Sequence, residues 1–260
     1  MEIDKDKLPS EIHHLVDLLL DPSWPEAVPP FLICDDTEDD KNERAEGILD
    51  YIGFEIENKS FCDFGCGEGH LALKANRIAS KSIGYDIIQT GVQDCWGTNV
   101  LTTNFEEVIH NGPYDYILAY DVLDHCANPL EALSEIKSIC KKETKVFIRF
   151  HSWMSRHGGH LYRKLNKAWA HLVFTKQELA LMGIDLEYVH KYYTPLIIQH
   201  SWIKKQGFKI ISEDIVKTVV EPFFKKEEIK SRLPLDKYQG QFPEWQMSQV
   251  FNDYVVQVGS

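Results

Sequence analysis

Three groups of residues in this chain could do chemistry, and their spacing says which. The first is Asp63-Phe-Gly65-Cys66-Gly67-Glu-Gly69, three alternating glycines directly after the apolar run Phe61 to Phe64. Such glycines let the backbone turn sharply and come close to a ligand. A helical pattern opens at about His70, so its first N–H groups would face something electron-rich. The second is Asp86, placed where one carboxylate can take both hydroxyls of a ribose about 20 residues past a glycine turn; capping the next helix is the structural alternative. The third is His151-Ser-Trp-Met-Ser-Arg156-His157-Gly-Gly-His160, which holds three of the eleven histidines. Histidine is the convenient base near neutral pH. Arg156 with His157 and His160 would also suit a carboxylate, phosphate or sugar. No H-x-x-x-H or acid pair completes a metal site, so no metal is assigned. Loop histidines can also serve only to satisfy backbone groups.

A dinucleotide fingerprint would read G-x-G-x-x-G. Here His70 stands at the third glycine's position, and the glycine comes one residue early, at Gly69. The pattern D-x-G-x-G-x-G, led by Asp63, resembles motif I of the class I S-adenosylmethionine-dependent methyltransferases. A second stretch carries the same resemblance. Tyr114 to Tyr120, YDYILAY, reads as a strand and runs into Asp121-Val-Leu-Asp-His125-Cys, then Ala127, then Asn128-Pro129-Leu. Small-molecule methyltransferases of this class read much like D-V-L-E-H-V, one residue, D-P-L. The likeness covers residues 40–150 closely and the tail more loosely.

The resemblance implies S-adenosylmethionine as cofactor. Asp63, Gly65, Cys66, Gly67 and Gly69 would wrap its amino-acid end and ribose, with Asp86 on the ribose hydroxyls and Ile87 beside it. Asn104 would pair with the adenine amine, although an aspartate is commoner there, and the backbone N–H of Phe105 with a ring nitrogen. Tyr120, Asp121 and His125 would line the site at the end of strand four; Asp121 could equally cap the following turn. The reaction implied is in-line displacement at a methyl carbon. His151, directly after strand five, is then the expected base, with Arg156, His157 and His160 around the acceptor. A small polar acceptor is expected, an oxygen of a sugar or sugar-like metabolite.

Rival readings are weaker. Nucleic-acid methylation meets a net charge of −12 and lacks an N-P-P-Y-type motif. A nicotinamide-dependent oxidoreductase meets the displaced glycine and the lack of a Tyr-x-x-x-Lys pair. A non-catalytic relative is disfavoured by the intact Asp63, glycines and Asp86.

Elements must position these residues. Strands over Phe61–Phe64, Lys81–Ile87, Val100–Thr103, Tyr114–Tyr120 and Lys145–Phe150 alternate with helical patterns, the alternation of a parallel sheet covered on both faces. Thr37 caps a helix over about Asp39 to Tyr51, and Pro129 suits the first turn of a helix to Cys140. The expected fold is α/β: a Rossmann-like, seven-stranded, mostly parallel sheet with helices on both faces. Its last strand, Gln249–Val258, is antiparallel beside strand five by the resemblance. A helical cap is inserted at about 151–193, with helices over Leu161–Val173 and from a capping box at Thr175 and Glu178. A helix over Thr194–Gln206, a strand over Lys209–Val216 and a helix over Glu221–Leu233 follow.

Residues 1–30 read as a helical appendage with apolar Ile12, Leu15, Val16, Leu18 and Leu19, broken by DPSWPEAVPP. It would pack on the flank of the domain formed by residues 31–260, with a lid or homodimer contact as the functional alternative. The six cysteines form no C-x-x-C pair and suit reduced thiols in a cytoplasmic protein. No apolar run approaches the roughly 18 residues of a membrane span, and no signal pattern opens the chain.

Overall fold

A computed structural model describes residues 3–29, 37–91, 95–184, 196–233 and 244–259. Cys34, the start of the acidic stretch at Asp35 and the start of the helix expected from Thr194 lie outside them. In chain order the main elements are α1 (His13–Leu20), α2 (Glu38–Ile52), β1 (Ser60–Phe64), α3 (His70–Ala75), β2 (Lys81–Tyr85) and β3 (Leu101–Thr102). Then come α4 (Phe105–Asn111), β4 (Tyr114–Tyr120), α5 (Pro129–Ser138), β5 (Cys140–His151), β6 (Phe208–Lys217) and β7 (Gln249–Val258).

The strands make one seven-stranded sheet of order β3-β2-β1-β4-β5-β7-β6. The pairs β2–β3, β1–β2, β1–β4 and β4–β5 are parallel. β7 is antiparallel and lies between β5 and β6, as the resemblance implied. In-register pairs such as Cys62 with Ile83 and Ile117, and Ala119 with Ile148, bring the carboxyl ends of β1, β2 and β4 together.

Alternation along the strands explains why both faces are covered. Phe61, Leu118 and Phe147 point to one face and meet Ala45 and Ile52 of α2 with Leu71 and Ala75 of α3. Cys62, Ile117, Ala119, Val146 and Ile148 point to the other and meet Ala132, Leu133 and Ile136 of α5. The central strand β1 is buried on both sides along most of its length, so it reads as an apolar run. α2 starts on a capping box between Thr37 and Asp40. α5 starts on Asn128 with Pro129 in its first turn.

The chain divides into two compact units. One joins Cys34–Phe150, Leu196–Asp214 and Asp253–Ser260 and holds the two cores just described. The other joins Met1–Ile33, His151–Pro195 and Ile215–Asn252. Its core contains Leu15, Val16 and Leu19 of α1, with Trp24, Trp169, Phe174, Phe223 and Phe224. The N-terminal stretch and the stretch after β5, read separately in the sequence, thus share one interior. Trp24 Nε1 donates to the Ala168 carbonyl at 2.9 Å, and its ring lies 5.0 Å from that of Phe223.

Two helices differ from expectation in this unit. Within 161–173 only Ala170–Val173 is helical; the Ala168 and Trp169 N–H groups donate to the Pro25 and Arg156 carbonyls, at 2.8 and 2.9 Å, and the Asn166 side chain exchanges two hydrogen bonds with the Val28 backbone, at 2.9 and 2.7 Å. Pairing with the N-terminal stretch takes the place of helical pairing there. Within 221–233 the chain makes a 3-10 turn over Pro222–Lys225 and a short helix over Glu227–Lys230, separated by Lys226 in an extended conformation. The capping box at Thr175 and Glu178 is present. No helix among the described residues is long and apolar enough to cross a membrane.

Candidate active site

β1 ends in the glycine turn. Gly65, Gly67 and Gly69 have φ of 78°, 55° and 89°, the left-handed region that side-chain-bearing residues rarely adopt. Their surroundings differ. A methyl added at Gly65 would lie 2.4 Å from a Val122 methyl, and one at Gly69 would lie 2.5 Å from Leu101. At Gly67 it would meet nothing within 4 Å, so the middle of the turn faces open space. The turn is anchored at its base by Gly65 and Cys66, whose N–H groups both donate to the Tyr85 carbonyl, at 2.7 and 2.9 Å.

Asp86, one residue past β2, faces this turn. Its Oδ2 accepts from Gly67 N at 2.8 Å and its Oδ1 from Ile88 N at 3.2 Å. Ile87 and Ile88 beside it are 78% and 61% exposed. Two bare isoleucines next to a carboxylate suit a ligand with an apolar ring joined to a polyol. Asp63 lies under the turn and is buried. Burial, then the neighbouring Asp86 charge, pushes its carboxyl up to about 7.

Asn104 caps α4, its Oδ1 accepting from Glu106 N at 3.1 Å; the amide nitrogen and a second lone pair remain for a ligand. Phe105 is partly buried, its ring 5.3 Å from that of Tyr85. The Cys66 thiol is pushed up by burial and by Asp63 and Asp86, so it stays a neutral thiol.

At the end of β4, Asp121 adopts a left-handed φ of 57°. Burial pushes its carboxyl up to about 7 against the pull of Arg149, Arg44 and His125. Asp124 is buried and shifted upward by burial and by Asp121. His125 is exposed, with Nε2 3.5 Å from Asp124 Oδ2. Tyr120 is tied into a network invisible in the sequence. The buried Arg149 donates through Nε and Nη2 to Asp253, at 2.7 and 2.6 Å, and through Nη1 to the Tyr120 hydroxyl. Tyr51 of α2 donates to Asp253 at 2.7 Å, and the guanidinium lies 4.3 Å from the Tyr120 ring centre.

Another missed contact joins α2 to the turn. His70 Nε2 lies 2.8 Å from Glu38, and Lys41 lies 2.6 Å from Glu68. His70 therefore holds the helix start instead of a pyrophosphate. Its misfit to the dinucleotide pattern was the one available signal.

The histidine turn lies in the other unit. The His151 ring is 5.1 Å from that of His157 and 5.7 Å from that of His160, edge to face in both cases. Phe251 lies 5.8 Å from His151, and Tyr162 lies 6.3 Å from His157. Burial, then His151 and Arg156, lowers His157 to about 3, so its ring is neutral. Arg156 is already engaged: Nε donates to the Glu26 carbonyl at 2.7 Å and Nη1 pairs with Glu221 at 2.8 Å. Arg156 thus holds the loop.

The sheet order, the open glycine turn and the carboxylate bonded to it define a class I S-adenosylmethionine-dependent methyltransferase. The model of one family, described as a methyltransferase domain, matches residues 38–213, and the chain belongs to that family. An S-adenosylmethionine-dependent methyltransferase from Archaeoglobus fulgidus is 14% identical, with 84% of this chain and 94% of that one covered and a TM-score of 0.50. One from Mesorhizobium loti is 12% identical, with 82% and 97% covered and a TM-score of 0.49. At such identities the structural likeness speaks to the fold alone. No curated protein matches the chain.

Proposed function

We propose that this methyltransferase acts on a small polar acceptor, an oxygen of a sugar or sugar-like metabolite, with His151 as the base. The observation that carries the reading is the three-imidazole cluster on the turn directly after β5. Open sheets of this kind take ligands beyond the carboxyl ends of their strands.

S-adenosylmethionine, when bound, supplies an electrophilic methyl carbon on a sulfonium. The residues present fit it. Asp86 would take the ribose hydroxyls, and the exposed Ile87 would cover the adenine. Gly67, with its open side, would admit the ligand to the backbone, while Asp63, Gly65, Cys66 and Gly69 shape the bend. Asn104 and the Phe105 N–H would read the base's edge. Tyr120, Asp121 and His125 would border the amino-acid end, where a carboxylate favours an ammonium.

On the acceptor side, His151 would remove the hydroxyl proton as the oxygen attacks. His157, held neutral, is too weak a base for this at neutral pH and would orient the acceptor by hydrogen bonding. His160 would do the same from the other side of His151. Arg156 would keep the loop in place through Glu26 and Glu221.

The test is transfer of a labelled methyl group to a panel of sugars and glycosides, with wild type beside His151→Ala. The substitution is expected to slow turnover roughly a hundredfold while leaving S-adenosylhomocysteine affinity unchanged. Full turnover in the variant would put the base elsewhere.

A further inference from the structure

We propose that Gln249 recognises the methyl acceptor, and that the part of the acceptor it holds is uncharged and offers a hydrogen-bond donor and acceptor side by side, as two neighbouring hydroxyls do. This rests on the reading that the histidine turn is the acceptor's side of the reaction.

Gln249 opens β7 and is 0% exposed. Neither its amide nitrogen nor its amide oxygen has a hydrogen-bond partner among the described residues. A buried amide with both ends idle costs the folded chain stability. A residue that only filled this space would do better as methionine or leucine. A buried, idle amide suits a ligand able to satisfy both ends.

Two independent contacts tie the strand neighbours of Gln249 to the histidine turn. Gln249 and Phe251 are two apart on a strand and project from one face, and the Phe251 ring meets His151 at 5.8 Å. Along the backbone, the Ser248 carbonyl accepts from Thr218 N at 2.7 Å, and Thr218 Oγ1 accepts from Arg156 Nη1 at 3.5 Å. Two further buried polar atoms without partners lie on the elements that carry Arg156 and its ion pair. They are Ser155 Oγ, next to Arg156 in the chain, and Glu221 Oε2, whose other oxygen holds Arg156.

The charge balance gives the acceptor's class. Arg156 is neutralised by Glu221 at 2.8 Å. Burial keeps His157 neutral. A phosphate or carboxylate would find no uncompensated cation among these groups, whereas a polyol would find a donor and several acceptors.

The test combines two measurements on Gln249→Met. In the ligand-free protein the substitution is expected to raise Tm, because it removes an unsatisfied amide; a fall would show that the protein already satisfies it and would overturn the proposal. Methyl transfer is then followed with the methyl glycosides of glucose, galactose, rhamnose and xylose. The substitution is expected to raise KM about tenfold or more, the loss of a hydrogen-bonded pair, while S-adenosylhomocysteine affinity stays unchanged. A wild type that transfers to one of these, with KM the same in the variant, overturns the role of Gln249 alone. A wild type that binds S-adenosylhomocysteine and transfers to none of them overturns the acceptor reading, and the inference with it.

Discussion

The glycine turn after β1 and the histidine turn after β5 both carry glycines beyond a parallel strand, and they use them in opposite ways. Gly67 is left-handed, and a methyl on it would meet nothing within 4 Å. Gly158 and Gly159 need no left-handed backbone but have no room: a methyl would lie 2.4 Å from the Ser152 carbonyl oxygen in one case and 2.4 Å from His171 in the other. The first turn is packed at Gly65 and Gly69 but open at Gly67, whereas the second is closed at both of its glycines. An open glycine lets a ligand approach the backbone, whereas a packed one fixes the side chains around it, here the imidazoles. The same residue type thus leaves room in one place and allows close packing in the other.

Charge separates the two regions as well. The unit with the glycine turn carries buried Asp63, Asp124, Arg149 and Asp253, while the histidine turn holds a neutral imidazole and a compensated arginine. Substitutions can break this contrast or sharpen it. Asp253→Ala should have the largest effect on stability, because it leaves Arg149 buried without its carboxylate; a loss of about 3–5 kcal/mol is expected in denaturant unfolding. A loss of about 0.5 kcal/mol, typical of an exposed pair, would mean that water reaches this pair.

Next come the glycines. Gly158→Ala should lower stability by about 1–3 kcal/mol through overpacking against carbonyl oxygens. Gly67→Ala should cost only the left-handed strain, about 1–2 kcal/mol, and its main effect should be weaker S-adenosylhomocysteine binding. Equal binding by the Gly67 variant and wild type would mean that the open side of the turn is not used.

A separate effect is on pH dependence. Asp63 has a folded pKa of about 7 against an ordinary 3.8, so the folded state holds the extra proton between those values. Stability of the ligand-free protein should therefore fall as pH rises through that window. The N–H of Ala72 offsets part of the burial effect. Asp63→Asn, neutral throughout, should flatten this part of the profile in thermal melts at pH 5 and pH 8. An unchanged slope would assign the titration to other carboxylates such as Asp121.

The sheet was legible in the sequence because its signals are local. Apolar runs, glycine spacing, caps at Thr37 and Thr175 and a first-turn proline at Pro129 each act within a few residues, and each falls where those residues put it. What stayed hidden depends on distant partners. Arg149 and Asp253 are 104 positions apart, and nothing around either marks the pair. Val28 and Asn166 are 138 apart and bond to each other, and the Ala168 N–H donates to Pro25, where the sequence pattern suggested a helix over 161–173. Gln249 looked like an ordinary strand residue, since a buried amide and an exposed one read the same until the neighbours are known. The glycine turn could be read from a contiguous motif, whereas the engagement of Arg156 by Glu26 and Glu221 needed the fold.

The central claim is that Asp86 and the open turn at Gly67 hold the adenosyl cofactor. Calorimetric titration of S-adenosylhomocysteine into wild type and Asp86→Ala tests it most directly. Saturable binding by wild type, weakened about tenfold or more in the variant by loss of charge-assisted bonds, is the expected result. Equal affinity in the two proteins, with the variant folded, would contradict the account.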